Sequence, residues 1–165
     1  MRGNAYLPRR AAICYNDNMI IPSPSLDIVG LMIAGALGAA IGAEREWRRH
    51  PGGLRSCTLV SAAASVFAHL AIAYGGGNPG AALGAIATGV GFLCAGVIMH
   101  LGAQVRGLST AATFWAVAAV GMAAGLGEFG LAVGLTLIVF FAHLGLRSAS
   151  AWIERVAPPE DPGPK

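Results

Sequence analysis

Five apolar stretches follow one another along this chain, and each is about as long as the hydrocarbon core of a bilayer is thick. They run from Leu26 to Ala43, Cys57 to Tyr74, Gly80 to Leu101, Ser109 to Leu126 and Phe129 to Leu146. On the order of 18–22 residues at about 1.5 Å each crosses a core of ~30 Å. Lys, Arg, Asp and Glu stay out of their interiors; Asp27 lies at the outer edge of the first. Charged residues make up 12% of the chain, about half of the roughly 25% that a soluble surface carries. In lipid every backbone group needs an internal partner, which a helix supplies. The expected fold is therefore all-α: a polytopic membrane protein built as a bundle of five transmembrane helices. Residues 1–25 read as a leader, 26–147 as the membrane domain and 148–165 as a short cytoplasmic tail.

The connections orient this bundle. The first, from Glu44 to Ser56, holds Arg45, Arg48, Arg49 and Arg55; the third holds Arg106; the tail holds Arg147, Arg155 and Lys165. Arginine and lysine stay cytoplasmic, so these segments lie inside. The connections at Gly75–Pro79 and Gly127-Glu128 carry no basic residue and lie outside. An odd number of spans then puts the N-terminus in the periplasm, which Arg2, Arg9 and Arg10 oppose. Translation from Met19 would remove all three.

Small residues mark the packing. Gly30, Ala34, Gly38 and Gly42 recur every four residues, as do Ala81, Ala85 and Gly89, Gly121 and Gly125, and Gly130 and Gly134. Such grooves let another backbone approach, either inside the bundle or between copies in a homo-oligomer.

Chemistry is harder to find. The chain lacks a nucleophile–base pair, a phosphate loop and an HExxH motif, so no enzyme activity or catalytic residue is expected. Cys14, Cys57 and Cys94 are too far apart for a zinc site or disulfide framework, and no cofactor is expected. Nucleic acid is not an expected partner, because the basic residues cluster at the ends of apolar runs. Asp27 is a weak candidate cation ligand. His69, His100 and His143 are polar groups at membrane depth, where such groups are often functional, yet they lie too far apart along the spans to share one metal. Glu44–Arg55 reads as topological anchoring, with Trp47 at the headgroups, or as a surface for a partner or anionic lipid. Ser109 or Thr110 can cap the fourth helix, and the same helix start beside Arg106 can hold an anion.

These segments resemble the MgtC/SapB family of bacterial inner-membrane proteins. The likeness rests on Gly35–Glu46, Pro51–Arg55, Gly91–Ile98, Val105–Thr113 and Trp115–Gly125, and covers roughly residues 28–146 in order. It implies an inner-membrane protein tied to growth in low magnesium and, in pathogens, to intracellular survival. It also implies regulation through a membrane partner, the proton-translocating ATP synthase, with transport of Mg2+ or another small solute as the alternative. Carried over by position, its marked residues here are Glu44, Arg45, Glu46, Pro51, Gly53, Leu54, Arg55, Arg106, Gly107, Thr110 and Thr113. Cys94 departs from the usual glycine, and Met99-His100-Leu101 replaces a more polar lead into the third loop. Many relatives carry a soluble C-terminal domain; the Pro-rich end of this chain is too short to form one.

Overall fold

A computed structural model describes residues 24–74, 78–101 and 104–156. Five helices follow in order: α1 (Pro24–Trp47), α2 (Leu54–Tyr74), α3 (Pro79–Val97), α4 (Leu108–Gly125) and α5 (Phe129–Val156). Two short strands, β1 (Met99–Leu101) and β2 (Gln104–Arg106), lie between α3 and α4. They pair antiparallel, with Met99 opposite Arg106 and Leu101 opposite Gln104. The leader before residue 24, including the alternative start at Met19, and residues 157–165 lie outside the described residues.

Local chemistry sets the helix ends. The Asn78 side chain accepts the Ala81 amide at 3.1 Å, and Pro79 follows in the first turn, where its missing N–H costs nothing. The end of α4 is closed by Gly127 at φ +78. Its amide donates to Ala124 and the Glu128 amide to Ala123. That pattern satisfies the last carbonyls and favours glycine in the left-handed position.

Helices α1 to α4 are each long and apolar enough to cross a membrane; the apolar part of α5 is Phe129–Gly145. Large apolar side chains point outward all around the bundle, among them Met32, Leu59, Phe92, Ile138 and Phe141. Water would penalise such a surface, and acyl chains do not.

Helix α4 is central and packs on all four others. The core is small-residue rich: Ala34, Cys57, Val117, Val120, Ala124 and Ala132 are almost fully buried. A Cβ on Gly38 would stand 2.6 Å from the Ser61 Cβ, and one on Gly42 2.7 Å from the Leu54 Cα. Gly121 and Gly125 press on the α2 backbone at Ser61 and Ser65 in the same way. These stripes are spent inside the bundle. Gly89, Gly130 and Gly134 instead face open space.

Three expectations need correction. The third span ends at Val97, not Leu101, because Met99–Leu101 pair with Gln104–Arg106 as a hairpin. The first span does not stop at Ala43: α1 continues through Glu44, Arg45, Glu46 and Trp47, so the first connection shrinks to residues 48–53. Helix α5 also runs on to Val156, into the segment read as tail.

Candidate functional site

Arg45 is the centre of the site. It continues the buried face of α1, following Ala34, Gly38 and Ile41 at helical spacing, and is only 2% exposed. A buried guanidinium must find acceptors for its N–H groups or lose its hydration without replacement. Here Nε donates to the Gly52 carbonyl at 3.0 Å and Nη2 to the Pro51 carbonyl at 2.6 Å. Nη2 also donates to Thr110 Oγ1 at 2.8 Å, and Nη1 to Thr113 Oγ1 at 2.9 Å. The planar fork thus joins three elements: the end of α1, the 48–53 loop and the first turns of α4.

A counter-charge arrives through a second arm. Glu44 Oε2 accepts from His143 Nδ1 at 3.1 Å, and His143 Nε2 lies 3.1 Å from Thr113 Oγ1. Glu44 Oε1 meets the Arg48 guanidinium as an ion pair outside hydrogen-bond alignment. The Thr113 hydroxyl spends its proton on the Ser109 carbonyl at 2.8 Å. The chain Arg48–Glu44–His143–Thr113–Arg45 ties α1, α4 and α5 at one end of the bundle. Partly desolvated networks of this kind hold one geometry because breaking any link strands a polar group.

The loop is shaped around this network. Arg49 adopts the left-handed conformation at φ 57. Its amide donates to the Glu46 carbonyl at 2.9 Å and that of His50 to the Arg45 carbonyl at 3.0 Å. This is the same closure that Gly127 makes at α4, but with a side chain that costs about 1–2 kcal/mol in this region. Gly52, at φ +74, lies against α4: a Cβ there would stand 2.5 Å from Phe114 Cζ and 2.9 Å from Thr110 Cγ2. Glu46 Oε2 accepts the Leu54 amide at 2.9 Å and so caps α2 from the end of α1.

The predicted residues therefore divide. Glu44, Arg45, Pro51, Thr110 and Thr113 meet in one network, and Glu46, Gly53 and Leu54 form the joint beside it. Arg55 is exposed on the first turn of α2. Arg106 is exposed on β2, outside the network. Gly107, at φ 95, permits the close approach of α4 to the Val97 backbone. Thr110 does not cap α4: the cap position is Gly107, without a side-chain bond, because the Thr110 hydroxyl is turned to Arg45. Asp27 lies in α1 and His100 on β1, with side chains outside the described residues. Among the described residues no three His, Cys, Asp or Glu side chains come together to hold a metal.

His143 is the main participant missing from the predicted face. A signal was present: it continues the buried face of α5 after Ala132, Thr136 and Val139 at helical spacing. Cys57 is another, with Sγ 3.4 Å from the Gly52 carbonyl.

Comparison with known proteins shows the family. Residues 31–152 match the model of the MgtC family. Protein MgtC of Salmonella typhimurium strain LT2 is 44% identical over 129 residues, covering 78% of this chain and 56% of that protein. Protein MgtC of Brucella abortus strain 2308 is 41% identical over 118 residues, 70% of this chain and 50% of its own. An uncharacterized Synechocystis protein is 39% identical over 127 residues, 76% and 54% respectively. The chain spans about half the length of these curated relatives. No solved structure matches it.

Proposed function

The chain belongs to the MgtC family, and from that premise we propose a non-enzymatic regulatory protein of the bacterial inner membrane that acts by binding another membrane complex. Growth in low magnesium is the condition it serves, and ATP synthase is the partner that the family resemblance suggests. The cytoplasmic end of the bundle is the contact face, oriented by its arginines. One observation carries the reading: an internal network of Arg45, Thr110, Thr113, Glu44 and His143 is spent on holding one loop in a single shape. Preorganised surfaces bind with less ordering cost, and Trp47, Arg49 and Arg55 stand exposed around that loop.

The transport alternative draws less support from the interior. Ser61, Thr88 and Thr136 each donate to a backbone carbonyl, of Ala34, Gly84 and Ala132, and Thr88 is exposed on α3 while the other two are buried, so they do not form one continuous file. Affinity purification of the tagged chain from its native membrane, in normal and low magnesium, tests the proposal. ATP synthase subunits should accompany the wild type and be lost with Arg55→Glu or Arg106→Glu at equal membrane levels. Equal recovery with all three chains would contradict it.

A further inference from the structure

We propose that the outer side of the 48–53 loop is a binding site for a phosphate group. A cavity of about 550 Å³ lies there, lined by Glu46, Arg49, His50, Gly53, Arg55 and Ser56, with Pro51 at its edge. It backs onto the Arg45 network through Pro51, whose carbonyl accepts from Arg45 and from the Thr110 hydroxyl.

The cavity is rich in donors because the nearby acceptors are turned away. The Pro51 and Gly52 carbonyls point inward to Arg45. The Gly53 carbonyl accepts the Cys57 amide at 3.1 Å. At the end of α1 the carbonyls of Glu44, Arg45 and Glu46 accept the amides of Arg48, His50 and Arg49. The remaining lining residues, Arg49, His50, Arg55 and Ser56, bring two guanidiniums, an imidazole and a hydroxyl to the cavity wall. Among the described residues neither Arg49 nor Arg55 has an ion-pair partner; Arg48, their neighbour, is the one held by Glu44. Arg55 and Ser56 also belong to the first turn of α2, whose amides have no acceptor within their own helix. The single carboxylate in the wall, Glu46, already accepts the Leu54 amide.

Two guanidiniums from different helix ends, a ring N–H and a hydroxyl exceed what a planar carboxylate can engage with two oxygens. A tetrahedral phosphate offers three or four oxygens and matches arginine forks in pairs. Arg49 fits this use: it takes a left-handed position that glycine would fill without strain, and so puts a guanidinium where the fold alone asks for none. Two sources carry the same chemistry. Trp47, next in sequence to the lining residue Glu46, is 91% exposed, and exposed tryptophans at helix ends favour headgroup depth, so a lipid headgroup can reach the site; so can a soluble phosphate from the cytoplasm. The site stands whether or not the face also engages a partner complex.

The test uses the full chain in a maltoside detergent at physiological salt. Binding is measured with inorganic phosphate and, after reconstitution, with nanodiscs containing phosphatidic acid or only uncharged lipid. Arg49→Gly removes one guanidinium while relieving the backbone, so this variant folds at least as well as the wild type. Arg55→Gln removes the other from an exposed position. Each should weaken phosphate-group binding about tenfold and together about a hundredfold, with helix content by circular dichroism unchanged. Arginine-dependent binding of inorganic phosphate identifies the soluble source; arginine-dependent binding of phosphatidic acid alone identifies the headgroup. Wild-type affinity in the folded double variant, or no binding of either probe by the wild type, would overturn the proposal.

Discussion

Arg45 decides the site at the residue scale. It serves two carbonyls and two hydroxyls at once, and only a planar fork reaches all four. Arg45→Met keeps the volume but strands the Pro51 and Gly52 carbonyls and takes a donor from the Thr110 and Thr113 hydroxyls. A stranded polar group costs about 1–3 kcal/mol, so a total loss of about 3–5 kcal/mol is expected, in line with removing one side of a buried charged network. Arg45→Lys should recover less than half of it, because one ammonium cannot span both hydroxyls and both carbonyls. Thermal unfolding of the purified variants in detergent checks both; an Arg45→Met chain as stable as the wild type would contradict this account. The charged Glu44–Arg55 segment stands out in the sequence, but the continuation of α1 through Arg45 and its inward turn do not. The missed cue is periodic: Ala34, Gly38, Ile41 and Arg45 share one helical face. Its pairing with Thr110 and Thr113, across more than sixty residues of sequence, depends on how α1 and α4 are rotated against each other, which no local pattern reports.

Between elements, small residues set how close the helices come. The stripe along α1 was legible as a groove, and its use within the bundle is now specific: Gly38 and Gly42 receive α2. Gly38→Leu should prevent stable folding, since a side chain there meets Ser61 Cβ and the Cys57 carbonyl within 3 Å. Gly134→Ala makes the contrast. It meets nothing within 4 Å, and alanine in a helix is favoured over glycine by about 0.5–1 kcal/mol. It should therefore leave detergent unfolding unchanged or slightly raise it. Loss of folding with Gly134→Ala, or tolerance of Gly38→Leu, would show that the helices pack differently. Identical four-residue spacing hid this difference, because the spacing marks a groove without naming what lies in it. The hairpin after α3 was hidden for a related reason: Ile98–Leu101 is apolar enough to extend a helix, and only pairing with Gln104–Arg106 ends it.

For the whole molecule, the apolar runs were enough to place the chain in a membrane, because they leave lipid as the only suitable solvent for faces such as Phe92 and Phe141. Function is less local. The end of the bundle at the 48–53 loop combines an internal network that fixes the loop with exposed cations that the network does not use. On this account the fold exists to present that end to another membrane complex, and its outer arginines can be changed without disturbing the bundle. The most direct test is growth in low magnesium of cells whose only copy of this chain carries Arg55→Glu, with membrane abundance and helix content matched to the wild type. Growth should drop to the level of cells lacking the chain, itself below the wild type; growth equal to the wild type would contradict the account.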